Sequence, residues 1–150
     1  PSSFSVNVST LPSLTYAMYA GSSPTAGEVA NYEMASMLLY QMGLPGNQNA
    51  DTIGGLNFAV WNIFNSSVPD PGTSASWVAW AQGQNRANWD YSSVRVYTPA
   101  VAGNQEFMGG AGNPVPELGT LWSLASGGLG LIALGTLRRR PWPWKCRTTA

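Results

Sequence analysis

Residues 118–137 form a run of twenty amino acids, LGTLWSLASGGLGLIALGTL, without a charged side chain. Wound into a helix, a run of this length extends for about 30 Å, which matches the hydrocarbon core of a bilayer. Arg138, Arg139 and Arg140 follow it directly, and basic residues beside an apolar segment stay on the cytoplasmic side of a membrane. We therefore predict a transmembrane helix over 118–137, a basic cytoplasmic tail over 138–150 and a body outside the cytoplasm. The alternative is a buried helix of a soluble protein.

The charges of the chain divide between these two parts. Residues 1–117 carry two basic and seven acidic side chains, a net charge of −5, whereas residues 118–150 carry +5. Phosphate binding needs a basic face, so the acidic body argues against nucleic acid as a partner. Charged residues make up 9% of the chain, against about 25% in ordinary soluble domains. This charge-poor, polar composition favours an extracellular or matrix protein over a cytoplasmic enzyme.

Histidine is absent and Cys146 is the only cysteine. This excludes an intrachain disulfide, a Cys/His zinc site and a Ser-His or Cys-His nucleophilic pair within these residues. The scattered carboxylates do not have the Asp-x-Asp-x-Asp-Gly spacing of a calcium loop. We therefore predict no catalytic residues, no metal site and no cofactor. Because export requires a signal peptide and the chain opens at Pro1 without one, we expect the sequence to be a mature form or a fragment.

Hydrophobic periodicity and turn residues predict an α+β body over residues 1–101. Thr25, with Glu28 three residues later, has the pattern of a capping box, and Asp51 is the candidate N-cap of a second helix. Strands at both ends and helices between them favour α+β over a doubly wound sheet. The Gly/Asn/Pro-rich residues 102–117 are predicted to be a linker. The predicted elements are strands at 4–8 and 14–19, helices at 26–42, 51–64 and 74–84, and a strand at 92–97.

The C-terminal pattern resembles a known sorting signal. A Pro-Glu pair at Pro116 and Glu117, an uncharged Gly/Leu segment and an arginine cluster follow one another in that order. This order resembles the PEP-CTERM signal of proteins exported by Gram-negative bacteria that make extracellular polysaccharide. The resemblance implies a membrane-bound exosortase as a partner, with Val115, Pro116 and Glu117 as the sorting motif. It also implies that the arginines after residue 137 act as the membrane stop and that the body reaches the cell surface or matrix.

Two features depart from that signal. Leu118 occupies the position of the motif's second proline, and ten residues follow Arg140, where the family usually stops almost at once. An alternative is therefore a permanent single-span membrane protein whose tail is never removed.

The body is loosely similar to bacterial thioester adhesin domains. Their helix motif, (Thr/Leu)-Gln-x-Ala-Ile-Trp, corresponds here to residues 56–61, LNFAVW. Asn57 stands where the family has the thioester glutamine, and no cysteine precedes it. The resemblance therefore implies a related fold and excludes the thioester.

Two tryptophans are candidate ligand-facing aromatics. Trp77 and Trp89 would stack on sugar rings if exposed, whereas the helical spacing of Trp77 and Trp80 favours a core position. The sequence thus leaves two main hypotheses for the body: a non-catalytic structural or adhesive surface protein, and a polysaccharide-binding module. A glycoside hydrolase would need two carboxylates about 5 to 10 Å apart in a cleft, and seven scattered acids do not favour it.

Overall fold

The computed structural model describes residues 5–69, 72–101 and 103–115, and within these ranges the protein is α+β. The described residues form three helices and five short strands, and the strands make two small antiparallel sheets. The helices are α1 (Ala26–Gly43), α2 (Ala50–Phe64) and α3 (Ser74–Gln82), with 3₁₀ turns at Pro45–Asn47 and Arg86–Asn88. The strands are β1 (Val6–Thr10), β2 (Trp89–Asp90), β3 (Arg95–Pro99), β4 (Phe107–Gly109) and β5 (Asn113–Pro114).

The larger sheet has the strand order β1-β3-β4. Val8 pairs with Tyr97, which in turn pairs with Phe107, so these three side chains lie on one face. The opposite face carries Val96, which is fully buried against the helices. The smaller sheet joins Trp89 to Pro114 and Asp90 to Asn113.

Helix α1 is central because it contacts both the other helices and the sheet. On one side Met34 and Leu38 pack with α2 and α3, and on the other Tyr32 packs with Leu14 and Val96. Buried apolar side chains therefore lie on more than one side of α1, which is expected for a helix surrounded by protein.

Local capping explains where the first two helices begin. Thr25 Oγ1 accepts the backbone N–H of Glu28, and the Glu28 carboxylate accepts the backbone N–H of Thr25, so the predicted capping box is confirmed. The prediction for α2 was wrong by two residues. Asn49, not Asp51, is the N-cap, and its side chain accepts the N–H of Thr52.

The predicted strand at 14–19 is a series of turns instead. The N–H of Leu14 bonds to Thr10 O and that of Ala17 to Leu14 O, so the backbone groups find local partners rather than a neighbouring strand. Leu14 and Ala17 are both buried at a spacing of three, which alternation does not produce. The predicted strand at 92–97 is shifted, since β3 begins at Arg95, but Val94 and Val96 are fully buried as expected.

The body extends beyond the predicted boundary at residue 101. Residues 103–115, predicted as part of a linker, contribute β4 and β5, and the compact unit ends at Val115. The glycines of this segment serve close packing. Gly110 has φ +74, and a Cβ there would lie 2.3 Å from Ser93 O; at Gly112 it would lie 2.9 Å from Ser36 Oγ. A larger residue fits neither position, so the composition that predicts a linker here reflects packing instead.

Among the described residues, no helix combines the length and hydrophobicity needed to cross a membrane. The predicted transmembrane helix at 118–137 and the tail at 138–150 lie outside the described residues.

Candidate functional site

A cleft of about 630 Å³ opens between the second half of α2, the loop before α1 and the segment that leads into β4. Its volume falls in the range of small-molecule binding sites, which is roughly 300–1,000 Å³. Aromatic rings and side-chain amides are prominent among its lining residues. The aromatic residues are Tyr19, Tyr32, Trp61, Phe64 and Phe107.

The Glu106 carboxylate holds the base of the cleft together. Its Oε1 accepts the Tyr32 hydroxyl at 2.5 Å, and its Oε2 accepts the Thr98 hydroxyl at 2.5 Å and the Met18 N–H at 2.6 Å. These donors come from α1, β3 and the loop after β1. A carboxylate bound by three donors in this way fixes the relative positions of three distant segments.

Tyr32 links this carboxylate to the wall of the cleft. Its side chain is fully buried, and its hydroxyl also accepts the N–H of Tyr19 at 3.1 Å. Burial, reinforced by the neighbouring Glu106, raises the pKa of Tyr32 far above the ordinary tyrosine value. Tyr32 is therefore neutral at physiological pH and acts as a hydrogen-bonding strut rather than as an acid or base.

One wall of the cleft is a cluster of three rings. Phe64 stacks on Tyr19 with ring centroids 5.0 Å apart and meets Tyr32 at 4.7 Å. The stacked and tilted contacts pack these three rings against one another. Trp61, one turn earlier on α2, has 51% of its surface exposed, so its indole is accessible at the mouth of the cleft.

Four side-chain amides also line the cleft, at Asn57, Asn65, Asn104 and Gln105. Asn57 donates to Ile53 O, and Asn104 donates to Val101 O. The side-chain oxygen of Asn65, Oδ1, accepts the backbone N–H of Ser67. Each asparagine thus uses one end of its amide locally, and the Gln105 amide has no partner within the described part of the chain.

The candidate aromatics Trp77 and Trp89 lie elsewhere, in a ladder of edge-to-face rings. Tyr40, Trp89, Trp80 and Trp77 follow one another with centroids 5.5, 6.1 and 6.2 Å apart. Trp77 and Trp80 are partly buried and pack against the core of the three helices, and Trp89 is partly buried as well. The ladder joins α1 to α3 and to β2.

Of the predicted sorting residues, the structure describes Val115. Its N–H bonds to Asn88 O at 2.7 Å, while its side chain is 47% exposed. Pro116, Glu117 and the arginines at 138–140 lie outside the described residues. The last contact described for the body therefore comes immediately before the Pro-Glu pair.

The acidic residues form no cluster of three or more potential metal ligands within residues 5–69, 72–101 and 103–115. Glu33 pairs instead with Arg86, whose Nε lies 3.0 Å from the carboxylate. Burial raises the pKa of the Glu33 carboxyl above its usual value, and the Arg86 charge partly offsets that effect.

The sequence did not single out Glu106 or Trp61. Trp61 closes the 56–61 motif, and Asn57 at its second position also lines the cleft, so that motif was a usable signal. Glu106 is the one charged residue between Thr98 and Pro116, which was a weaker one. No known protein family, characterised protein or solved structure matches the chain.

Proposed function

We propose that this protein is exported, held in the inner membrane by residues 118–137, and passed by an exosortase-type enzyme to the bacterial cell surface or extracellular matrix. There the body acts as a structural or adhesive component without catalysis. The observation that carries the proposal is the order of a Pro-Glu pair, twenty uncharged residues and three arginines, combined with the −5/+5 division of charge.

The extent of the body supports processing at this position. The described elements end with β5, and the N–H of Val115 makes the last hydrogen bond described. A cut after Glu117 would therefore leave each described strand and helix intact.

The chemistry of the cleft supports a non-catalytic body. Glu106 is the one carboxylate among the described residues of its lining, and it is occupied by three hydrogen-bond donors. General acid–base work on a glycosidic bond needs two carboxylates flanking it, and the described part of the chain places no second one in the cleft.

Two epitope tags test the proposal, one inside the body and one after Ala150. Both are followed in inner-membrane and surface fractions of a host with a cognate exosortase. We expect the body tag at the surface without the tail tag, and Glu117→Ala should leave both tags in the inner membrane. Leu118→Pro, which restores the second proline, should speed processing.

If both tags stay together in the inner membrane with the wild-type chain and with Leu118→Pro, the protein is a permanent single-span membrane protein. Recovery of both tags in the soluble fraction would mean instead that residues 118–137 do not span a membrane.

A further inference from the structure

Among the described residues that line the cleft beside α2, none has a cationic side chain, and the one carboxylate, Glu106, is already bound. An anionic ligand would therefore find no counter-charge. A cationic ligand would have to compete with three short hydrogen bonds for Glu106. The electrostatics of the cleft fit a neutral ligand.

The exposed aromatic rings of the cleft favour a ligand with apolar faces. Trp61 is 51% exposed and Phe107 53% exposed, and both line the cleft. The face of an aromatic ring carries partial negative charge and attracts the weakly positive C–H groups of a saturated ring. Tyr19, stacked on Phe64, offers a further exposed ring that is already held in place.

The side-chain amides of the cleft favour a ligand rich in hydroxyl groups. Asn57 Oδ1, Asn65 Nδ2 and both ends of the Gln105 amide have no partner among the described residues, nor has the indole N–H of Trp61. Together they provide both donors and acceptors in the lining of the same cleft. A hydroxyl group both donates and accepts, so it satisfies such a mixed set, whereas a purely apolar ligand would leave these groups without partners.

We propose that this cleft binds a segment of a neutral polysaccharide, with Trp61 as the main stacking residue and Gln105 and Asn57 bonding to sugar hydroxyls. This inference rests on the proposed function, since it names the matrix component to which the surface-exposed body attaches. It also moves the saccharide site from the predicted Trp77 on α3 and Trp89 on β2 to the second half of α2 and the segment before β4.

The test uses the full chain in a zwitterionic detergent, because a glycosidic detergent would itself compete. The probes are cello-, malto- and manno-oligosaccharides, with oligogalacturonate as the anionic comparison. Binding is measured by calorimetry and by protein-observed NMR. We expect at least one neutral oligosaccharide to bind weakly and oligogalacturonate not to bind.

Variants locate the site. Trp61→Ala should weaken binding at least about tenfold, which corresponds to about 1.4 kcal/mol. Gln105→Ala should weaken it several-fold. Phe58→Ala is the matched control, because Phe58 is an exposed aromatic residue on the same helix that does not line the cleft, and we expect its affinity to equal that of the wild type. Circular dichroism verifies that each variant is folded.

Three results would overturn the proposal. The first is no binding of any neutral oligosaccharide up to its solubility limit. The second is binding that is unchanged in both Trp61→Ala and Gln105→Ala, which would favour Trp77 and Trp89 as the binding site instead. The third is self-association of the chain that depends on Trp61 and occurs without saccharide binding, which would make the cleft a protein interface.

The same variants separate this inference from the proposed function. Trp61 lies in the body, far along the chain from the sorting motif, so Trp61→Ala should reach the surface as the wild type does. Failure of binding with normal sorting rejects the saccharide site alone. Binding by a chain that is never processed rejects the sorting proposal alone.

Discussion

The Glu106 carboxylate connects the loop after β1, helix α1 and strand β3 through hydrogen bonds from Met18, Tyr32 and Thr98. Tyr32 is fully buried and Thr98 nearly so, and loss of the carboxylate would remove the acceptor of both hydroxyl groups. A donor left unsatisfied in such a place costs free energy comparable to its desolvation. Glu106 is therefore a structural residue although it lies in a cleft.

Replacing Glu106 by Gln should lower the free energy of unfolding by about 2 to 3 kcal/mol, because the remaining hydrogen bonds lose the charge of the carboxylate and one acceptor oxygen becomes an NH₂ group. Urea denaturation measures the change. Asp51→Asn makes the same chemical substitution at an exposed position in the first turn of α2, where we expect about 0.3 to 1 kcal/mol. An effect of Glu106→Gln no larger than that of Asp51→Asn would contradict the role assigned to Glu106.

Tyr32 gives the protein a defined response to alkaline pH. Burial raises the pKa of Tyr32 in the folded state, so the neutral phenol is favoured by folding. Its contribution to stability is complete below the unfolded value of about 10 and declines as the pH rises above it. Phenolate absorbance should therefore show Tyr32 ionising together with unfolding. Tyr32→Phe, followed by urea denaturation across the same range, should show a shallower alkaline loss of stability; an unchanged slope would count against this.

Two adjacent glycines in α2 separate helix packing from helix propensity. A Cβ at Gly55 would lie 2.1 Å from Thr73 Oγ1 and 3.5 Å from the Trp77 ring, whereas nothing lies within 4 Å at Gly54. Gly54→Ala should stabilise the protein by roughly 0.5 to 1 kcal/mol through helix propensity. Gly55→Ala should destabilise it by about 1 to 3 kcal/mol, because α3 approaches α2 closely there. Thermal unfolding of the two variants side by side measures this, and equal shifts would mean that α2 and α3 do not pack closely at Gly55.

The elements that the sequence predicts well are those whose signals are local. The capping box at Thr25 and Glu28, and the loop residues between helices, define α1, α2 and α3 to within a few residues. The strand predicted at 14–19 fails because backbone bonds within turns of four and five residues replaced strand pairing there. Composition alone cannot distinguish a flexible glycine from a packed one, so β4 and β5 were hidden in a predicted linker.

The cleft was harder to predict because its contacts are distant in sequence. Glu106 bonds to Tyr32 across 74 residues and to Met18 across 88, and no periodicity or short motif reports such pairings. The aromatic and amide lining could be predicted only in part, through Asn57 and Trp61 in the 56–61 motif. Trp77 and Trp89 were predicted as possible ligand-facing residues because tryptophan often stacks on sugars, but both are partly buried in a ladder of aromatic rings.

At the scale of the whole molecule, the boundary of the body decides which fragments fold. A fragment of residues 1–101 lacks β4, β5 and Glu106, so it should lose its cooperative unfolding transition. A fragment of residues 1–117 keeps each described element and should unfold at the same temperature as the body of the full chain. Circular dichroism during heating distinguishes the two. A cooperative transition for residues 1–101 would show that the body folds without β4 and β5, as expected if residues 102–117 were a linker.

In the proposed division of roles, the body provides adhesion, and residues 116–150 provide export and processing. The compact unit ends at Val115, and Pro116-Glu117, the proposed recognition pair, follows directly in the sequence. This arrangement suits a tail that is used once and removed. The alternative, a permanent anchor, would leave the body attached to the inner membrane by a short connection.

The intact mass of the surface form, purified from a host with a cognate exosortase, tests this division most directly. We predict a species that ends near Glu117, contains the whole body and is missing from a host without the enzyme. A surface species that retains residues 118–150, or a chain of full mass found only in the inner membrane, would contradict the proposal.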